Sequence, residues 1–274
     1  MRRRNERFRI LVRIAVTLAF LALVTVGGIL CYDGALVTDF SRKNLQPCLE
    51  YLFGTDWLGR NMLYRTLTGL SMSILIGVAA AFISAVIALF LGIMAATLGK
   101  KADSLICGCI DMVMGIPHIL LLILISFAMG KGLKGVVVGV ALSHWPSLAR
   151  VIRAEVLQLK ESPYIQIAGK LGQSKWKIAV KHMVPHLAPQ FIVGLILLFP
   201  HAILHEASIT FLGFGLSSEQ PAVGIILSES MKYLITGKWW LAVFPGLMLV
   251  LTVVLLDRLG NSLRRLLDPS SAHE

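Results

Sequence analysis

The chain has 274 residues, of which 56% are hydrophobic and 15% charged, and its mean hydropathy is +0.77. This composition excludes an ordinary water-soluble domain, so most of the chain is expected to face lipid or other helices. The formal charge of +11 is not gathered into a basic patch with interleaved aromatic residues, which argues against nucleic-acid binding. The sequence contains no phosphate-binding P-loop motif, so we expect no ATP binding through such a motif. It also lacks a credible arrangement of nucleophile and base, so we expect no enzyme active site.

Six apolar stretches are long enough to cross a bilayer, which requires about 20 residues. They lie near residues 11–31, 72–98, 104–129, 133–151, 187–207 and 240–260. The sequence therefore predicts an all-α polytopic membrane protein with six transmembrane helices. Most of the 26 Lys and Arg residues then fall on one side, which places both chain termini in the cytoplasm.

The predicted organisation follows from these stretches. In chain order it comprises an N-terminal cytoplasmic segment and first transmembrane helix (1–32), an external loop (33–69), a core membrane domain (70–265) that includes a cytoplasmic loop (153–186), and a C-terminal tail (266–274). Pro117 is expected to kink the third stretch. Small residues are expected to allow close helix packing at Gly69, Gly77, Gly92, Gly108 and Gly115.

A polar, basic segment from Glu161 to His186 separates two apolar runs. Pro163 has the fixed φ of a first helical position, and Gly172 suits a left-handed turn before a second helix that Pro185 is expected to end. Its apolar side chains recur at helical spacing and comprise Ile165, Ala168, Leu171, Trp176, Ala179 and Val180. This pattern is typical of a surface element that contacts a partner.

The same segment resembles the cytoplasmic loop of the inner-membrane permease subunits of ATP-binding-cassette (ABC) importers. The family pattern is Glu-Ala-Ala, three residues, Gly and, further along, a Leu-Pro-like pair; the matching positions read Gln166, Ile167, Ala168, Gly172, Val184 and Pro185. Two further motifs are similar to the branch that handles dipeptides, oligopeptides and nickel, namely GTDWLGRNMLYR (54–65) and SITFLGFGL (208–216).

The resemblance implies a type I ABC importer permease fold in the bacterial cytoplasmic membrane. It implies three kinds of protein partner besides membrane lipid: a second homologous permease, two cytoplasmic ABC ATPases and an external solute-binding protein. ATP and Mg²⁺ would bind to the ATPases, and this chain would hold no cofactor. The ATPase-coupling residues implied by the resemblance are Tyr164, Gln166, Ala168, Gly172 and Pro185.

Ionisable residues interrupt the fifth apolar stretch at His201, His205 and Glu206. Such residues are costly within a membrane and usually face a cavity or a partner, so we predict that they line the substrate pathway. His201 and His205 are four residues apart on one helical face, where they could bind a transition metal. His118 or His144, the partner permease or a chelator could supply further ligands.

This histidine pair and the motif ALSHW (141–145) resemble the nickel-importing permeases. Nickel, or a chelate of nickel or another transition metal, is therefore the predicted substrate. One alternative is a permease for dipeptides or oligopeptides, in which the histidines would be structural. A stand-alone secondary transporter is less favoured, because it would not need the segment that resembles an ATPase-docking loop.

Overall fold

The computed structural model describes residues 2–217 and 219–267. This part of the chain forms eleven α-helices, one 3-10 turn and one π turn. The α-helices are α1 (Arg2–Leu30), α2 (Tyr32–Leu36), α3 (Met62–Thr97), α4 (Lys100–Gly115), α5 (His118–Ala128), α6 (Gly132–Lys160), α7 (Pro163–Lys170), α8 (Lys175–Ile178), α9 (Val184–Phe211), α10 (Val223–Leu234) and α11 (Trp240–Leu267). The described residues form no β-strand, and the all-α prediction is confirmed.

Five helices within the described residues are long and apolar enough to cross a membrane. They are Arg7–Leu30 of α1, α3, α6, the run Trp176–Phe211 that ends with α9, and α11. Helices α4 and α5 meet the same criteria only as a pair that bends by 99°. The prediction of six crossings therefore holds when this bent pair counts as one.

The break between α4 and α5 lies where Pro117 was predicted to kink the third apolar stretch. Ile116 adopts an extended conformation, with φ −87° and ψ 135°, as the residue before a proline commonly does. The predicted stretch 104–129 is therefore two helices rather than one.

Helix α3 begins at Met62, well before the predicted span 72–98. Asn61 caps it, because its side-chain oxygen Oδ1 accepts a hydrogen bond from the backbone N–H of Leu63 at 2.9 Å. Residues 62–69, assigned to the external loop from the sequence, are thus helical. At the other terminus, residues 266–267 belong to α11, and the rest of the predicted tail (268–274) lies outside the described residues.

Helices α3 and α6 form the centre of the bundle, where small side chains bring the backbones together. A Cβ atom added at Gly92 would lie 2.9 Å from the carbonyl oxygen of Ala149, and one at Gly77 would lie 2.5 Å from Ile203 Cγ1. Gly69 is similarly confined, so close packing is confirmed at three predicted glycines. Gly108 and Gly115 meet nothing within 4 Å in the described part of the chain, so the prediction is wrong for them.

The motif at 54–65 ties the first loop to α10 through buried charges. The side chain of Asp56 is fully buried, and its Oδ2 accepts hydrogen bonds from Arg60 Nε at 2.6 Å and Arg65 Nη1 at 2.7 Å. Arg65 Nη2 also donates to Glu229 Oε2 on α10 at 3.0 Å. Trp57 stacks on Tyr233 with ring centroids 4.7 Å apart. This motif therefore has a structural role at one end of the bundle.

The motif at 208–216 comprises the end of α9 and a turn that hydrogen-bonds to the end of α5 and the start of α6. Ser126 donates a hydrogen bond to the carbonyl oxygen of Phe214 at 2.8 Å, and Gly132 N–H donates to Gly215 O at 3.0 Å. The turn requires a left-handed residue, Gly213, with φ +82°. These bonds fix α5, α6 and α9 around the site described next.

Candidate transport site and coupling segment

A cavity of about 320 Å³ lies where α4, α5, α6 and α9 meet. Its described lining consists of Met114, His118, Ser143, His144, Pro146, Ser147, Leu198, His201 and His205. The break at Pro117 sets His118 at the first position of α5, while His144 lies within α6 and His205 within α9. Separate helices therefore direct several imidazoles into one cavity.

Three of these residues, His118, His144 and His205, form a compact group that we call the histidine trio. One ring nitrogen of each lies within 4.8 Å of those of the other two. The ring centroids are 4.3 to 4.9 Å apart, and His144 Nε2 lies 3.1 Å from His205 Nδ1. Imidazole nitrogens are common ligands for Zn²⁺, Cu²⁺ and Ni²⁺, so this geometry is suited to transition-metal chemistry.

The structure separates the three pathway residues predicted in the fifth apolar stretch. His201 and His205 both line the cavity, as their spacing predicts, but His201 lies outside the trio. Glu206 is fully buried outside the described lining, where its Oε1 accepts a hydrogen bond from Thr210 Oγ1 at 3.0 Å. The roles of these three residues in transport, and of His201 and His205 in metal binding, stay predictions.

From the sequence, His118 and His144 were expected only as possible further ligands. Nothing in the local pattern places them beside His205, because the three residues are distant in the chain and meet through the packing of α5, α6 and α9. The signals that could have found them are Pro117, which begins α5 at His118, and the polar interruption of an apolar helix at His144.

The segment from Glu161 to His186, which we call the coupling segment, begins with α7 at Pro163 as predicted. Gly172 then adopts φ +80°, the left-handed turn expected from the sequence. The N–H of Gln173 donates to the carbonyl oxygen of Ala168 at 3.2 Å, so the turn satisfies an end group of α7.

The apolar side chains of the coupling segment divide into two sets. The buried set is Ile165, Ala168, Ile178, Ala179 and Met183, which join the core of the protein. The exposed set, which we call the apolar patch, is Tyr164, Ile167, Leu171, Trp176 and Val180. Leu171 and Trp176 are the most exposed, at 77% and 72%. Large apolar side chains exposed together are typical of a surface that a partner covers.

The predicted coupling residues follow the same division. Tyr164, Gln166, Gly172 and Pro185 are exposed, but Ala168 is only 6% exposed and packs against the chain's own interior. Ala168 therefore presents little surface of its own to an ATPase, because a small side chain on the inner face of α7 is covered, and its role in coupling stays a prediction. Ile167, Leu171 and Trp176 are the exposed side chains that the motif did not single out.

Pro185 does not end a helix, contrary to the prediction. Helix α8, the π turn Ala179–Met183 and α9 form one continuous helical run. Pro185 lies in the first turn of α9, directly after the π turn, where the loss of its N–H is readily tolerated.

The sequence matches the family described as the binding-protein-dependent transport system inner membrane component over residues 88–273. The chain belongs to this family. The permease is 30% identical over 254 residues to a dipeptide transport system permease protein of Bacillus subtilis, covering 93% of this chain and 79% of the relative. It is 34% identical over 270 residues to a putative peptide transport system permease protein of Brucella suis, with coverage of 98% and 89%. It is also 33% identical over 238 residues to a glutathione transport system permease protein of Pectobacterium atrosepticum, with coverage of 87% and 79%.

Solved structures share the fold of the permease. An inward-facing structure of a methionine ABC transporter superposes with a TM-score of 0.61 at 18% identity, covering 76% of this chain and 98% of that one. A crystal structure of an amino acid ABC transporter gives 0.55 at 19% identity, with coverage of 73% and 93%. The type I ABC importer permease fold is therefore confirmed.

Family membership assigns the chain its general role. It is a multi-pass membrane subunit of an ABC importer, and it is a transport protein rather than an enzyme. A permease of this kind works with ATPase subunits and a binding protein.

Proposed function

We propose that this permease forms half of the translocation pathway of an ATP-driven peptide importer. The observation that carries this proposal is the similarity, over 87 to 98% of the chain, to permeases whose names specify dipeptide, peptide or glutathione transport. A peptide substrate was the alternative left open by the sequence motifs, and the named relatives favour it over nickel.

The proposed importer pairs this permease with a second homologous permease, two ABC ATPases and an external solute-binding protein. ATP and Mg²⁺ bind to the ATPases, and this chain holds no cofactor. The proposed orientation places the coupling segment and both termini in the cytoplasm. The clustering of Lys100, Lys101, Lys160 and Lys170 at the same end of the bundle as the coupling segment supports it.

The proposed mechanism is alternating access, in which closure of the ATPases moves the coupling segments and reorients the permease bundle. In this permease the apolar patch supplies the ATPase-facing surface. Tyr164 belongs to it, Gln166 is exposed on the same helix α7, and the turn at Gly172 and the run through Pro185 connect it to α9. The buried residues Ile165 and Ala168 hold α7 to the bundle, so that its movement is transmitted.

A nickel ion or another transition-metal chelate is the second candidate substrate. The observation that favours it is the cavity lined by four histidines, which include the predicted pair His201 and His205. Neutral imidazoles suit nickel, whereas a peptide does not require them.

Uptake by the reconstituted importer distinguishes the two candidates. The complex would be isolated through a tag on this chain and reconstituted with its binding protein, and uptake of a labelled dipeptide and of radioactive nickel would be measured in parallel. We expect uptake of the dipeptide that requires ATP hydrolysis and is lost with a non-hydrolysable ATP analogue. Uptake of nickel without the dipeptide, abolished by His201→Ala with His205→Ala, would instead establish the metal candidate.

A further inference from the structure

We propose that His118, His144 and His205 bind a single divalent transition-metal ion within the membrane bundle. The site stands on the geometry of the histidine trio and does not depend on which substrate the importer carries. It also differs from the pair expected from the sequence, because it replaces His201 with residues from α5 and α6.

Backbone hydrogen bonds orient two of the three imidazoles as metal ligands. His144 Nδ1 lies 2.9 Å from the carbonyl oxygen of Val140, and His205 Nδ1 lies 2.8 Å from that of His201. A carbonyl oxygen only accepts hydrogen bonds, so each Nδ1 carries the proton and each neutral ring has its lone pair on Nε2. His144 Nε2 lies 3.1 Å from His205 Nδ1, so a metal ion would take the place of this contact. Metal-binding histidines are typically held by such an N–H contact to a backbone carbonyl.

The third imidazole has a nitrogen with no other role in the described structure. His118 Nε2 is buried from solvent and has no hydrogen-bond partner among the described residues. An unpaired buried polar atom is costly, and most such atoms in folded proteins are satisfied. The His118 ring centroid lies only 4.5 Å from that of His144 and 4.3 Å from that of His205. A shared metal ion would satisfy this nitrogen.

The cavity beside the trio leaves room to complete the coordination. Its volume of about 320 Å³ accommodates water or a small chelating group next to the three rings. Met114, Ser143 and Ser147 also line it, and the described lining includes no carboxylate. Three neutral nitrogen ligands suit Zn²⁺, Ni²⁺, Co²⁺ or Cu²⁺, whereas Mg²⁺ and Ca²⁺ prefer oxygen ligands.

Metal binding to the intact complex tests the site directly. The importer would be purified through a tag without histidine, stripped with a chelator and dialysed against Co²⁺, Ni²⁺, Zn²⁺ or Mg²⁺. We expect about one Co²⁺, Ni²⁺ or Zn²⁺ ion per copy of this chain above the background of a His118→Gln variant, and no comparable retention of Mg²⁺. Bound Co²⁺ should show the visible absorption of a nitrogen-coordinated ion.

Single substitutions identify the ligands. His118→Gln should weaken binding by about tenfold or more and should leave folding intact, since the ring nitrogen Nε2 that it removes has no partner among the described residues. His205→Gln should have the same effect. His186→Gln, in the coupling segment outside the cavity, is the matched control and should bind metal as the unmodified chain does.

Two results would overturn the proposal. One is unmodified complex that retains no more metal than the His118→Gln variant. The other is loss of metal in His201→Gln with full retention in His118→Gln, which would restore the pair expected from the sequence. Dipeptide uptake is measured separately, so a failed metal site leaves the peptide proposal standing, and a failed uptake assay leaves the metal site standing.

Discussion

Asp56 is the residue on which the loop end of the bundle depends most directly. Its buried carboxylate accepts hydrogen bonds from the backbone N–H groups of Leu58 and Arg60 and from two guanidinium groups. Asp56→Ala would leave Arg65, which is 4% exposed, without its main counter-charge. We expect the free energy of unfolding to fall by about 3 to 5 kcal/mol, measured by thermal or denaturant unfolding of the purified complex.

Glu50→Ala is the matched control for this prediction. Glu50 also pairs with an arginine, Arg42, but its side chain is 70% exposed. An exposed pair of this kind contributes little to stability, so the control should unfold almost as the unmodified protein does. Equal effects of the two substitutions would contradict the importance assigned to burial.

For single residues, the sequence predicted which side chains share a helical face better than it predicted which side chains from other helices lie beside them. The spacing of His201 and His205 correctly indicated that both face one cavity, because the period of a helix fixes which side chains share a face. The same pattern could not show that His118 and His144 approach His205, since that depends on how three helices pack. Nor could it show that Glu206 lies outside the described lining of the cavity.

Gly172 is the position at which the coupling segment, as an element, is most vulnerable. Its φ of +80° is inaccessible to proline, whose ring fixes φ near −65°, and proline would also remove the N–H that donates to Gly169 O at 3.1 Å. We expect Gly172→Pro to lower substrate uptake by about tenfold or more, because the turn that carries the apolar patch is lost. Uptake and substrate-stimulated ATP hydrolysis by the reconstituted importer provide the measurement.

Gly169→Ala serves as the control within the same element. Among the described residues, a Cβ atom at position 169 would meet only Ile178 Cδ1, at 4.0 Å, and alanine favours the helix in which it lies. This variant should transport normally. Normal uptake and ATP hydrolysis in Gly172→Pro would exclude the coupling role proposed for the segment.

Two prolines show which features of an element a sequence can predict. Pro117 follows a residue in extended conformation and breaks the helix, whereas Pro185 follows Val184, which has the helical angles φ −56° and ψ −46°. Proline is compatible with both a helix end and a first helical turn, so its identity alone does not decide between them. The π turn before Pro185 has no comparable sequence signal.

The orientation of the whole molecule can be tested through a natural cysteine. Cys48 is exposed in the loop that the proposed topology places outside the membrane. A membrane-impermeant maleimide should therefore label it in spheroplasts, and Cys48→Ser should lose that label. In a Cys48→Ser background, Leu171→Cys should react only after the membrane is permeabilised and the bound ATPases are removed. Labelling of Leu171→Cys in sealed spheroplasts would contradict the proposed topology.

For the whole molecule, hydropathy predicted the membrane class, the all-helical fold and the approximate number of crossings. Those properties depend on the length and polarity of each stretch by itself, because an apolar stretch of about 20 residues in a bilayer must satisfy its own backbone hydrogen bonds as a helix. The boundary of α3 at Met62 and the 99° bend between α4 and α5 depend instead on a polar cap and on a backbone conformation, which hydropathy does not register.

The run Trp176–Phe211 extends for 36 residues, and it includes part of the apolar patch at one end and His201 and His205 towards the other. At 1.5 Å per residue, a helical run of about 38 Å separates Trp176 from His201, and one of about 44 Å separates it from His205. Part of the surface proposed to contact the ATPase and part of the cavity proposed to contact the substrate therefore belong to one helical run. A displacement at the end that carries Trp176 can therefore reach the cavity along one helical run, which includes the π turn Ala179–Met183.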